Sequence, residues 1–565
     1  MIFSILLFML SAVIPGHHAK AEAETSLVDI GADDYEGTMR YKEWDDHKPF
    51  MDANGNLVDK GIGFYSSNSY GGTAWASYNI QNMGYTNFKT GLTLDSQWLV
   101  GDYGVTAVGF YADDVLLYEK QLSKKDGLLK LNISLPKQVK NFYIVVKQVR
   151  GARGVQNVVL ANPVFSGSGT YSTAGDLPVS LRTIGTFNTE GYYYPNEWSG
   201  DNPAFQNIAG DLVTDGIGFS TPGSYGGTSL AEYNIDQMGY NQFTAKVSLD
   251  SKWTKGDYGR TALGVYADDY LLYEKEFTVK TPVQSLKLTI PTGTKNLTLT
   301  VKQFKGAKGT QNLVLANPLL HKVSQTPKVV PKTVAFSTVG AIDTEGNVYN
   351  HAWSEQPFLY QNNQFATSGL GLSTSSYYGG TAFAEYDIQN MGFNSLKTKL
   401  SLDYDCLVGD YGSSSVYIYA DGKRLYSSSL KRTDLKSLTL RFPSKTKRIK
   451  VMVLQKKGAK GTQDVLFGNA VFTNLPISLK LSSGQVTVVN RKKSNDTVTV
   501  NSITKDETVR VYNSQNTLIA SGKSIGNLLS LKIKQLGTRK GTLYVTRTSP
   551  GKLESDKLSV SYKAE

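Results

Sequence analysis

At 565 residues, with 60 Lys and Arg against 48 Asp and Glu for a formal net charge of +12, the chain is long enough for several domains, each with its own core. Its single cysteine, Cys406, excludes an intrachain disulfide. With 34 Tyr and 54 Gly and no long helical periodicity, the composition points to short strands joined by turns.

Residues 1–23 read as a secretory signal. Positions 2–14 are apolar, and Ala19, Ala21 and Ala23 form two overlapping A-x-A cleavage patterns. The run is shorter than the ~20 apolar residues that span a bilayer. The mature chain is therefore expected to be exported, with no transmembrane segment, no lipidated cysteine at the signal boundary and no apolar C-terminal anchor.

A domain-sized unit then occurs three times. GIGFYSSNSYGGTAWASYNI from Gly61 returns as GIGFSTPGSYGGTSLAEYNI from Gly216 and as GLGLSTSSYYGGTAFAEYDI from Gly369. The spacing far exceeds the 20–50 residues of solenoid repeats, so each unit is a whole domain. The copies span residues 27–165, 181–320 and 334–472. Three similar domains in a row suggest binding more than catalysis. Residues 166–178 are flexible by composition, whereas 322–332 carry two prolines that favour extended backbone, so the copies are expected as separate beads.

Within a copy, Phe243, Ala245, Val247 and Leu249 alternate with Thr244, Lys246 and Ser248. That period of two describes strands with one face in a core and one in water. Turn signals punctuate them, Tyr-Gly-Gly-Thr at 70, 225 and 378 and Gly-Asp-Tyr-Gly at 101, 256 and 409. Many short strands in each copy mean an antiparallel sandwich.

The order of motifs carries a resemblance. GIGF, Tyr78-Asn79-Ile80, Gly84-Tyr85 with Phe88, Leu94-Asp95, a glycine loop, and a strand pair ending in Leu117-Tyr118 together resemble the NPCBM/NEW2 family of carbohydrate-binding modules. The resemblance implies three tandem jelly-roll, galactose-binding-like β-sandwiches of an all-β protein. Members often carry His-Ala after the GxG turn and Asp-His before Trp-Ala-Asp near the last strand. Here those places read Tyr65-Ser66, Gln156-Asn157 and Leu160-Ala161-Asn162, so no sugar specificity is carried over.

Residues 476–565 alternate differently, at Val498-Val500, Val509-Val511, Leu531-Ile533 and Leu543-Val545, and describe a small all-β domain. It resembles the immunoglobulin-like modules of exported bacterial proteins. It holds 15 Lys and Arg against 6 Asp and Glu, a net of +9 that is most of the chain's basic charge. Anionic wall polymers are its expected partners; a solvated, solubilising surface explains the charge equally.

No converging nucleophile, base or metal set recurs, and no enzyme is expected. For glycan contact, the candidates are a Glu-x7-Trp pair in each copy (Glu36 and Trp44, Glu190 and Trp198, Glu345 and Trp353) and the amides Gln148, Gln303 and Gln455 beside a Gly-Ala-basic-Gly loop. An indole face stacks on a pyranose while carboxylates and amides bond its hydroxyls. A core role for the Trp and a hairpin-bracing role for the Gln stand as alternatives. By the same comparison Trp75, which becomes Leu230 and Phe383, reads as buried. No cofactor is required. Asp95, Asp250 and Asp403 at strand ends, with Asp102, Asp257 and Asp410 in the next loop, are candidate ligands of a structural calcium, with Asx-turns as the alternative.

The function expected is that of an exported, multivalent, non-catalytic protein binding glycans or cell-wall polysaccharide. A structural surface protein that binds no sugar and an accessory subunit of a glycoside hydrolase are the alternatives.

Overall fold

The structure, a computed structural model, describes residues 24–565 except 68–69, 168–176, 201–202, 222, 224, 325–329, 355 and 377. The signal expected over 1–23 lies outside the described residues.

Each copy folds as two facing antiparallel sheets, the jelly-roll sandwich. In the first module the five-stranded sheet runs Asp34–Glu36, Gly71–Asn79, Asn141–Val149, Val105–Ala112, Val115–Leu122. The facing sheet runs Thr38–Tyr41, Gly61–Tyr65, Val158–Ser166, Asn87–Leu94, Leu129–Ser134, with Thr25–Ser26 added beside Val158–Ser166. The second and third modules repeat this order strand for strand. The register Phe142↔Tyr78 and Phe142↔Ala112 sends Phe142, Ile144 and Val146 inward, where they meet Phe110 from the neighbouring strand and Phe88 and Phe165 from the facing sheet. Phe88 lies 4.6 Å from Phe142 and 5.5 Å from Phe165, centroid to centroid.

The last strand of each module shifts register once, between Ala161 and Val164 in the first. There Asn162, Asn317 and Asn469 take φ of 48°, 48° and 49°, a left-handed conformation that Asn adopts more readily than most residues. This bulge is the reason an Asn recurs at that place in every copy.

The GxG motif has an equally local cause. A Cβ on Gly218 would stand 2.7 Å from the ring of Trp198, and Gly63 and Gly371 sit in the same way under Trp44 and Trp353. Only glycine lets the indole lie on the strand.

Residues 476–565 form a seven-stranded two-sheet domain: Val486–Val489, Asp496–Asn501 and Leu528–Ile533 in one sheet, and Leu518–Lys523, Thr508–Tyr512, Gly541–Thr548 and Leu558–Tyr562 in the other. The three- and four-stranded antiparallel sheets enclose a core of Val498, Val500, Val509, Val511 and Val545.

The expectation of separate beads is overturned. The loop before the GxG strand of each later module docks on the outer face of the five-stranded sheet of the module before it. Thr214 donates from N and Oγ1 to Glu119 Oε1 and shares a hydrogen bond with the hydroxyl of Tyr111. Thr367 does the same, to Glu274 at 3.0 and 2.7 Å and with Tyr266. Thr183 donates to Asp114 at 2.6 Å, as Thr338 does to Asp269 at 3.1 Å. The buried Lys147 Nζ reaches the carbonyl and side-chain oxygens of Asn196, both at 3.0 Å; Lys302 Nζ reaches the carbonyl of His351 at 2.6 Å. Apolar contact completes each junction, Leu212 with Ala204 and Ala107 in the first, Phe365 with Leu359 and Ala262 in the second. Gly109 and Gly264 permit the approach, since a Cβ on either would come within 2.8 Å of the docking threonine's Oγ1. Flexible composition in a linker did not disclose this, because the docking residues are scattered through strands and loops well away from it.

The outer modules lack half of this set each. The first has Asp59 and Asp29 where the second has Thr214 and Thr183, and its Leu57 is 63% exposed where Leu212 is 4%. The third has Tyr417, Gly422, Ser427 and Leu454 where the second has Gly264, Asp269, Glu274 and Lys302.

Candidate functional site

At the loop end of the first sandwich lies a cavity of about 320 Å³, its floor formed by Trp44 and its rim by Tyr65, Trp98, Tyr103, Arg153 and Asn157. Asp95 shapes it. As N-cap of the short helix Ser96–Trp98, Asp95 accepts from Gln97 N through one oxygen; through the other it accepts from Trp44 Nε1 at 2.7 Å and Met51 N at 3.1 Å. Trp44 is thereby held edge-on to Trp98, 5.5 Å between centroids, with Trp98 half-buried and open to the cavity.

The basic side of the rim is held by a second aspartate. Asp102 accepts from Gly104 N at 3.0 Å and Ala152 N at 2.9 Å, which fixes the glycine loop against the Gly151–Gly154 hairpin. These backbone donors hold its exposed carboxyl below the usual range, as they do for Asp257 and Asp410. Arg153 projects from the hairpin, its Nη1 3.3 Å from Val100 O. An aromatic wall facing a guanidinium and an amide can stack on one face of a sugar ring and bond its hydroxyls.

The second module keeps Trp198 and Trp253, 5.2 Å apart, with Lys308 in place of Arg153. In the third, Cys406 takes the place of Trp98. It is buried, accepts from Asp464 N at 3.3 Å, and burial pushes its thiol pKa far up. The third module therefore lacks the outer indole of this wall.

The sequence-predicted residues do not converge as expected. Glu36, Glu190 and Glu345 are exposed on edge strands of the five-stranded sheets, whereas Trp44, Trp198 and Trp353 pack beside the other sheet. Seven intervening residues carry the chain from one sheet to the other, so each Glu-x7-Trp pair is separated. Trp44 and Trp198 are 5% and 6% exposed, which makes them cavity floor and core, not free stacking surfaces.

Gln148, Gln303 and Gln455 are buried too. Gln148 Oε1 accepts from Ser66 N at 2.6 Å and Gln455 Oε1 from Thr374 N at 2.5 Å, while the amide nitrogen of all three donates to the carbonyl of Gln156, Gln311 or Gln463. Gln148 and Gln455 thereby latch the turn after GxG to the last hairpin; Gln303 keeps the hairpin bond through its amide nitrogen, while its Oε1 is buried without a hydrogen-bond partner among the described residues.

For calcium, the structure does not gather the six aspartates into shared donor sets. Asp250 and Asp403 repeat the bonds of Asp95, to Trp198 Nε1 at 2.8 Å and Trp353 Nε1 at 2.7 Å. Burial raises the carboxyls of Asp95 and Asp250, and pushes that of Asp403 up to about 7. Among the described residues no group of three or more His, Cys, Asp or Glu could hold a metal ion.

Sequence reasoning passed over two aromatic contributors. Trp98 is not among the sequence candidates, yet it lines the cavity, although Cys406 takes its place in the third module. Trp75 is half-buried on the outer face of its sheet, not buried in the core as expected, and its Nε1 donates to Glu36 at 2.9 Å. The strand position alone, facing away from the core by the parity of its neighbours Ala74 and Ala76, was the available signal.

Among the described residues no helix is long and apolar enough to cross a membrane. No curated protein matches the chain. Residues 197–321 match the NPCBM/NEW2 domain. Similar solved structures include the tandem CBM51 modules of a family 98 glycoside hydrolase from Streptococcus pneumoniae SP3-BS71, at 16% identity over 53% of this chain and 99% of that one, with a TM-score of 0.22. Another is the CBM51 of a Clostridium perfringens GH95 in complex with methyl-galactose, at 19% identity over 26% of this chain and 100% of that one, with a TM-score of 0.21. A third holds the M60 catalytic domain with two CBM51 domains of Clostridium perfringens ZmpB, at 13% identity over 71% of this chain and 53% of that one, with a TM-score of 0.23. The chain thus carries three tandem modules resembling the NPCBM/NEW2 family, of which the second matches the family directly.

Proposed function

We propose that the mature chain is an exported, non-catalytic, multivalent glycan-binding protein whose sugar contacts are made at the loop end of its modules. The observation that carries this reading is the first module's cavity, where Trp98, Tyr65 and Tyr103 face Arg153 and Asn157. Its third side is floored by an indole whose N–H is already bonded, so the cavity offers apolar faces and outward polar groups together. The family match over 197–321 supports the same ligand class. Export rests on the signal pattern of residues 1–23, and the basic 476–565 domain supports association with anionic wall polymer.

Two or three weak sites on one polymer gain avidity by ~10²-fold or more where their spacing suits the repeat. The packed junctions set that spacing. A glycan array with the full mature chain, beside Trp98→Ala and Arg153→Ala, tests the reading. Binding that both substitutions weaken supports it. Sugar-independent self-assembly with no array signal favours a structural surface protein instead.

A further inference from the structure

A second cavity, of about 310 Å³, lies between the first and second modules. One wall is the outer sheet face of the first module, with Trp75 and Tyr143, their ring centroids 6.5 Å apart. The other is the second module's Arg182 and Asp215, paired Nε to Oδ1 at 2.8 Å. Asp113 and Asp114 close one side.

The second junction shows which of these residues docking requires. There the tyrosine, glutamate, aspartate, lysine and two threonines of the docking set all return. The four wall residues do not: Leu230 replaces Trp75, Thr298 replaces Tyr143, Ser337 replaces Arg182 and Ser368 replaces Asp215. A junction forms without them. Their presence at the first junction therefore needs a cause other than holding the modules together.

The lining is two-faced in chemistry as well as in origin. Trp75 has its N–H bonded to Glu36, which fixes the ring and leaves its face to the cavity. Opposite it, an exposed guanidinium retains donors beyond its pair with Asp215, and Asp113 stands at the rim with its oxygens accepting from Asn141 N at 2.9 Å and Lys140 N at 3.2 Å. An apolar ring face against convergent charged donors and acceptors matches a pyranose, which has a C–H face and an edge of hydroxyls. The volume stands near the lower end of the roughly 300–1,000 Å³ of ligand pockets, enough for one sugar ring.

The geometry points to a second saccharide site at the first junction, taking a single hexopyranose unit between Trp75 and Arg182. It is separate from the loop-end cavity and stands or falls independently of it. Isothermal titration of the full mature chain with methyl glucoside, methyl galactoside, methyl mannoside and N-acetylglucosamine, compared with Trp75→Leu and Arg182→Ser, tests it. Trp75→Leu installs what the second junction already carries, and Arg182→Ser does so when Asp215→Ser accompanies it, since Ser337 and Ser368 replace both members of the ion pair there; in these backgrounds the thermal midpoint should hold. At least one probe should lose affinity by about tenfold or more, the scale of one lost ring contact. Isotherms that Trp75→Leu, Arg182→Ser and the double variant all leave unchanged overturn the site, as does the absence of heat from every probe at millimolar concentration. Loss confined to Trp98→Ala assigns binding to the loop end alone and also overturns it. Loss confined to the Trp75 and Arg182 variants establishes the junction site even where the loop end fails.

Discussion

Lys302 Nζ of the second module donates to the carbonyl oxygen of His351 in the third at 2.6 Å, and the ammonium is completely buried at the junction. Burial lowers its pKa from 10.5 to about 7, with Glu190 opposing, and lowers that of Lys147 to about 8. Between these values and 10.5 the unfolded chain binds the proton that the folded chain has released. Stability contributed by each junction therefore rises with pH across that window and is flat below it. Neutral Lys302 still donates to both of its acceptors, Thr228 Oγ1 and His351 O. The thermal midpoint of the wild type should rise more between pH 7 and pH 10 than that of Lys302→Leu, the residue type at Leu454. Equal slopes in the two proteins refute the assignment.

Trp198→Ala should lower the stability of the second module by about 3–5 kcal/mol, the cost of a buried indole, and strand the carboxylate of Asp250. Trp198→Phe keeps most of the volume and isolates the lost Asp250 bond. Differential scanning calorimetry resolves both. A fully stable Trp198→Ala would return the ring to the surface.

Calcium and EDTA should leave the thermal midpoint unchanged. Each of Asp95, Asp250 and Asp403 already spends both oxygens on an indole N–H and backbone amides, and each loop aspartate spends one on a glycine amide of its own loop and one on an alanine amide of the neighbouring hairpin. A calcium-dependent midpoint would place an ion that this arrangement does not provide for.

Removing residues 476–565 should reduce retention on a polyanionic resin and flatten its salt dependence, because +9 of the chain's +12 goes with them. The domain meets the third module partly through Arg441 and Asp556, 3.0 Å apart on an exposed surface, so the three modules should remain folded. Elution of the truncated and full chains at the same salt would locate the polyanion contact elsewhere.

Severing one docking contact should loosen one junction only. Thr367→Val removes both side-chain bonds of that hydroxyl, to Glu274 and Tyr266, and should speed proteolysis near 322–332 while the segment near 166–178 is unaffected. Equal protection at both segments would show that the apolar contacts suffice.

The sandwich was legible because its causes are local. Alternation at Phe243 to Leu249, glycines at turns and the threefold recurrence of one pattern each report on a strand or loop by itself. The site was less so. Glu36 and Trp44 lie close in sequence yet on opposite sheets, while Trp44 and Asp95, 51 residues apart, share a bond. Gln148 looked like a sugar reader because an amide that braces a turn and one that reads a hydroxyl are the same residue type; only burial separates them. The junctions were hidden for another reason. Thr214 and Glu119 are ordinary surface residues in a lone module, and nothing in their spacing tells that a neighbour covers them.

A surface on one module that fits a different surface on the next is an open-ended joint: repeated between molecules, it would grow a fibre. The outer faces of the first and third modules lack the residues of that joint. An incoming copy would present Asp59 and Asp29 without the threonine hydroxyls, to a face where Tyr417 fills the space Gly264 leaves and Ser427 offers no carboxylate. The two halves of the joint are thus confined to the faces that the three modules turn towards one another.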